Sequence, residues 1–182
     1  MVSSPIYGIE GFLDQIYAVL TEYGYEVWMS HKGTFPVSPR GTAFDNCLEA
    51  VENCDAFLGI ITGRYGSGIA PGEPSITHQE VLRAIKLDKL RWFLVHHHVA
   101  ISRQLLKQFR FKKNGTPKRL NFKPTPILSD IRVLEMYEAA IREGIALPAR
   151  TANWVQQYVT EPDALLYIES QFRDPERIRK LL

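Results

Sequence analysis

Apolar residues recur at helical spacing across residues 9–23, at Ile9, Phe12, Leu13, Ile16, Tyr17 and Leu20, and Gly24 stops the run. Residues 1–3 before it read as the end of a strand whose start would lie upstream. Residues 25–29 read as a second strand. The stretch 30–41 is a loop, too broken by Pro36 and Pro39 to be regular. Phe44, Cys47, Leu48 and Val51 mark a second helix. Residues 56–61 (Ala-Phe-Leu-Gly-Ile-Ile) form a continuous apolar run, the pattern of a central parallel strand covered on both faces. A glycine-rich loop at 63–74 leads to a third helix from about Ser75, carrying Ile76, Val81, Leu82 and Ile85. Residues 92–95 are a fourth strand. Strands alternating with helices at this spacing predict an α/β, doubly wound parallel sheet.

The second half reads differently. Residues 99–109 and 129–143 have helical patterns, the latter with Ile131, Leu134, Tyr137, Ala140 and Ile141 on its apolar side. Residues 154–158 are expected to be helical, with Trp154 and Tyr158 four apart as core or dimer contacts. Residues 162–172 open with Pro and Asp, as helices do. The expected organisation is an α/β domain at 1–110 and a basic loop and helical extension at 111–182, packed on the same domain. No internal repeat or low-complexity segment interrupts it.

Composition adds exclusions. The 182 residues are 45% hydrophobic with a net charge of +2, which implies no strong global attraction to nucleic acid or membranes. No apolar run approaches the ~20 residues of a membrane span, and no signal peptide pattern is found at the start. Cys47 and Cys54 sit on one helical face about 10 Å apart in rise, too far for a disulfide. Two unpaired thiols point to a cytoplasmic location.

In open parallel sheets ligands bind beyond the carboxyl ends of the strands. That nominates four loops: 3–8, 30–42, 62–74 and 96–98. Asp55 precedes its strand and belongs to the opposite edge. Ser3 and Ser4 follow the first strand, where backbone N–H groups can meet a phosphate, although serines before a helix are ordinarily caps. Glycines at 63, 66 and 68 permit close approach of a ligand. Arg64 offers a cationic fork and Tyr65 an aromatic face. Glu80 falls one turn inside the third helix, facing the cleft. Thr77-x-x-Glu80 is equally a capping box, in which the glutamate only returns a hydrogen bond. The loop lacks the lysine and spacing of a P-loop. His78, in the first turn, is either a substrate-positioning group or a solvated helix start. His96 to His98 end the fourth strand. With no carboxylate or thiol at ligand spacing beside them, no metal is expected.

The succession Val2-Ser3-Ser4, Asn53-Cys54-Asp55 before Phe57-Leu58-Gly59-Ile60-Ile61, Arg64-Tyr65-Gly66, and Ser75-Ile76-Thr77-x-x-Glu80 resembles an uncharacterised bacterial domain family. That family stands at the front of signalling NTPases and in defence-type proteins, and is similar to TIR domains and nucleoside 2-deoxyribosyltransferases. The resemblance covers residues 2–95. It implies a flavodoxin-like fold and cleavage of an N-glycosidic bond, with Glu80 as the key carboxylate and NAD or another nucleotide as substrate rather than cofactor. Ser3, Ser4, Arg64, Tyr65, Gly66, Ser75, Thr77 and His78 would then bind the substrate. A cationic nicotinamide needs no general acid; a nucleoside does, and Asp45 is the candidate. TIR enzymes usually carry a tryptophan shortly before the glutamate, where Ile76 and Thr77 stand here, a departure that bears on NAD cleavage.

Two functions follow as expectations. One is a glycosidase in antiphage or stress signalling. The other is a non-catalytic module of the same fold that senses a nucleotide, self-associates or engages a signalling partner. A Glu80 free in an open cleft favours the enzyme; one covered and bonded back to Thr77 favours the module. The stretch 107–123 holds seven Lys or Arg and no acid, with Phe109, Phe111 and Phe122 interleaved. It is expected to be a solvated loop away from the cleft, and nucleic acid is not expected as a partner.

Overall fold

The computed structural model describes residues 1–68 and 72–182; positions 69–71 of the 63–74 loop lie outside them. Four parallel strands, β1 (Val2–Ser3), β2 (Ala56–Ile61), β3 (Leu90–His96) and β4 (Asn153–Tyr158), lie in the order β1-β2-β3-β4. Alternation along the two inner strands sends side chains to both faces. Leu58, Ile60, Trp92 and Leu94 enter one apolar cluster, and Phe57, Ile61, Phe93 and Val95 enter the other. Gly59 pairs in register with Phe93, and a Cβ on Gly59 would come 2.6 Å from Cδ1 of that ring. The phenylalanine fills the space that the glycine leaves.

Helices cover both faces, as right-handed crossovers require. The first face carries α1 (Glu10–Glu22), α6 (Glu161–Phe172) and α7 (Pro175–Arg179). The second carries α2 (Ala43–Asn53), α3 (Ile76–Lys86), α4 (His97–Arg110) and α5 (Arg132–Ile141). Phe12, Leu13, Ile16 and Leu20 are the buried stripe of α1, matching the periodicity read from the sequence.

The strand expected at 25–29 shrinks to a single parallel bridge between Met29 and Val2, with Val2 N donating to Trp28 O at 2.8 Å. A 3-10 turn at Ser30–Lys32, ending in left-handed Gly33 (φ 63°), takes the chain away at once. Counting this bridge as a rudimentary strand outside β1 gives the flavodoxin-like order.

The helix expected at 154–158 is instead β4, hydrogen-bonded in register from Arg91↔Asn153 to His96↔Tyr158. A spacing of four suits one helical turn and also one face of a strand, so Trp154 and Tyr158 alone do not discriminate. The unpaired edge of β3 decides it. The C-terminal part of the chain therefore supplies helices α5 to α7 and also the outermost strand. Cys47 is half-buried, Cys54 buried, and both are free thiols. Among the described residues no helix is long and apolar enough to cross a membrane.

Candidate functional site

The carboxyl end of β1 meets the first turns of α3, and Glu80 sits at that junction with 4% of its surface exposed. The capping-box expectation fails because Ser75, not Thr77, is the N-cap. The Ser75 hydroxyl accepts from His78 N at 3.3 Å, which starts the helix earlier and leaves the Glu80 side chain out of the cap. Glu80 instead accepts from Ser3 Oγ at 2.5 Å, across 77 residues of sequence. The Cys47 thiol of α2 lies beside the same carboxyl. Burial pushes the Glu80 carboxyl up to about 7, against the smaller opposing pull of Ser3 and Cys47. Burial, with Glu80 adding to it, pushes the Cys47 thiol up to about 12. Glu80 is thus covered, yet not bonded to Thr77.

His78 and Tyr65 are spent on each other. The Tyr65 hydroxyl and His78 Nδ1 lie 2.7 Å apart, with both residues buried. Burial, and then the charge of Arg132, lowers the imidazole to about 4, so it stays neutral. The Arg132 guanidinium stands 4.5 Å over the Tyr65 ring and donates to Asp130 and to Glu73 O. Ser75 and Thr77 are buried as well. Gly66 adopts φ +81°, a conformation open to glycine, and its position would set a Cβ 3.5 Å from Thr77 Oγ1.

Asp45 is exposed and completes a capping box with Thr42, accepting from Thr42 N at 3.0 Å and from its hydroxyl at 2.7 Å. These bonds hold its carboxyl below the usual range. A general acid needs the opposite, so the geometry gives Asp45 a capping role.

What faces solvent is narrower than the sequence suggested. Arg64 is exposed, and no side-chain partner engages its guanidinium among the described residues. It lines two neighbouring hollows. One, of about 520 Å³, is bounded by Tyr7, Gly8, Thr62, His96, His98, Ile127, Tyr158, Thr160 and Glu161. The other, of about 410 Å³, is bounded by Pro5, Tyr7, Gly66 and Ser129. Ser4 is half-buried at the end of β1.

A segment that lines both hollows was missed in the sequence. Residues 124–131 strap across the end of β2: Ser129 N donates to Gly63 O at 2.8 Å, and Tyr65 N donates to Ser129 Oγ at 2.9 Å. Ile127 O lies where a Cβ of Gly63 would be, 1.8 Å from it, so Gly63 is required by the strap rather than by a ligand. Gly63 was the available signal, but nothing local names its partner 64 positions away.

His96 to His98 turn from β3 into α4. The His96 side chain is the N-cap, with His98 N donating to His96 Nδ1 at 3.3 Å. The potential ligand atoms of the three imidazoles lie within 4.8 Å of one another, a closeness that the expectation of no metal did not anticipate. The basic stretch lies at the other end of α4, about 20 Å of helix away. There Lys107, Lys112, Lys113 and Lys118 line a separate groove of about 1060 Å³.

No curated protein and no solved structure matches the chain. A family model does match, over residues 1–144, a span that includes the β1–α3 junction, the strap and α5 and stops before β4. The chain belongs to the family described as Domain of unknown function (DUF4062).

Proposed function

We propose that this domain is a nucleotide N-glycosidase-type enzyme, acting on NAD or a related nucleotide at the carboxyl edge of the sheet, in a setting of antiphage or stress signalling. The observation that supports it most is the company Glu80 keeps. A carboxyl with 4% exposure is met by one hydroxyl and one thiol, with no cation beside it among the described residues. Burying such a group is unfavourable unless it is paired or neutral, and glutamine would accept the same bond from Ser3 without that penalty. Desolvated carboxyls at the carboxyl edge of a parallel sheet are the kind that react.

In the step itself, the bond between C1′ and the base nitrogen breaks, and its electron pair leaves with the base. The cationic ribosyl carbon faces ionised Glu80, and water adds to C1′ as it gives up a proton. Substrate reaches the carboxylate when the Ser3 hydroxyl turns off Oε2. Asp45, held ionised by its cap, is poorly suited to protonate a leaving base. This favours a substrate whose base is already cationic, as nicotinamide is in NAD.

The second reading is a non-catalytic nucleotide-sensing or interaction module, favoured by the covered position of Glu80 and by the Tyr65–His78 pair facing inward. Incubation of wild type and Glu80→Gln with NAD and a nucleotide and nucleoside panel, followed by chromatography for free base, separates the two. The enzyme reading expects release by wild type and a fall of about 10²–10³ in the variant. No base released by wild type from any of them, alone or with partner proteins, leaves the module.

A further inference from the structure

The larger hollow, of about 520 Å³, combines two kinds of surface. Ile9, Phe12 and Ile127 give it an apolar side. Arg64, His96 and His98 give it hydrogen-bond donors. We propose that this hollow holds the diphosphate of the ligand, with Arg64 as the cationic clamp and the His96 and His98 imidazoles as donors. This rests on reading the carboxyl edge as a nucleotide site.

Three observations carry it. Arg64 is exposed and unengaged among the described residues, whereas Arg91, Arg103, Arg110 and Arg132 all have carboxylate partners. A free guanidinium at the rim of a concavity matches the oxygens of a phosphate. Next, His96 Nδ1 accepts from His98 N. In a neutral ring this leaves the proton on Nε2, which is wrong for ligating a metal there and right for donating to an anion. Finally, the imidazoles stand at the start of α4, a 14-residue helix whose amino end carries positive potential. That field opposes a metal cation among the three histidines and adds to the pull on an anion.

One group in the hollow acts the other way. Glu161 lines it and carries a negative charge that repels phosphate. The proposal therefore predicts opposite signs for two substitutions in one pocket, which general loosening of the fold would not produce.

The test uses inorganic pyrophosphate as probe, with sulfate at matched ionic strength as control, and follows binding to the full chain by titration calorimetry. Saturable binding by wild type is expected in the millimolar range. Arg64→Ala should weaken it about 10- to 100-fold, and Glu161→Gln should strengthen it several-fold. Equal binding by all three proteins, or no saturation of wild type by ~10 mM, overturns the proposal. Glu80→Gln should bind pyrophosphate as wild type does. Absent base release with this pattern intact therefore defeats the enzyme alone. Base release that is indifferent to Arg64→Ala, in KM as in kcat, defeats the diphosphate pocket alone.

Discussion

Glu80→Gln also changes stability, in a way that depends on pH and isolates the buried carboxyl. The group titrates near 4.5 in the unfolded chain and at about 7 in the fold. A gap of that size corresponds to about 3 kcal/mol. Because the folded value is raised, the protonated carboxyl is the form that the fold prefers. Its contribution is fully present below pH 4.5 and is lost as the pH rises through 7. Glutamine cannot ionise and has no such loss. The stability of the variant relative to wild type should thus rise by about 3 kcal/mol between pH ~4.5 and ~8, whatever fixed offset comes from placing an amide beside Cys47. Urea unfolding of both proteins across that range, with m-values checked for constancy, reads the difference directly. His78, held neutral and lowered to about 4, contributes stability that is lost as pH falls from 6.5. It does so in both proteins and cancels. Ser3→Ala removes the hydroxyl that favours the charged form, and should move the midpoint of the difference to higher pH. A difference that stays flat across the window would refute the desolvated carboxyl, and with it the observation on which the functional reading leans.

Three further outcomes follow from packing and charge. Gly63→Ala would drive a Cβ into Ile127 O. It should cost about 3 kcal/mol, lower Tm by about 6–12 °C and open residues 124–131 to proteolysis, and an unchanged Tm would refute the strap. Arg110 is buried and bidentate to Glu138 at 2.6 and 2.8 Å. Arg110→Ala should lose about 3 kcal/mol, and addition of Glu138→Ala should cost much less than the sum of the two singles; additive losses in denaturant titrations would contradict the pair. Neutralising Lys112, Lys113, Lys118 and Arg119 together should leave the unfolding midpoint unchanged, because all four are exposed and none has a carboxylate partner among the described residues. A folding defect, or salt-sensitive nucleic-acid binding by wild type, would show a larger role.

The parts of this fold that were legible in the sequence are those whose cause is local. Residues 56–61 and 92–95 announce inner strands because burial on both faces demands an unbroken apolar run. The α1 stripe is legible because one helical period is short enough to see. The misreadings share another cause. Ser75 and Thr77 are equally good caps by type, and only the point at which the chain leaves the Gly68–Ser75 bridge selects Ser75, which frees Glu80 from the box. Asp45 taken alone is an available acid by type, whereas Thr42-x-x-Asp45 together fit the cap pattern that occupies it. β4 was invisible because its pattern is weak on its own, and what fixes it is the bare edge of a strand that ends at His96. The Ser3–Glu80 contact could be anticipated only in outline, from the rule that strand ends and helix starts share an edge. Its partners are 77 positions apart.

The placement of β4 also bears on how the molecule is made. On the ribosome β3 is complete at His96, with Trp92, Phe93, Leu94 and Val95 all destined for burial, while its second edge finds no partner until residues 153–158 emerge. Parallel strands cannot zip as hairpins, so nothing nearer in the chain can serve in the interval. A nascent chain paused after the family-matched segment would hold this largely buried strand with one side open to neighbours. The open edge of β3 is thus a hazard during synthesis that lasts until the final 30 residues of the polypeptide begin to arrive.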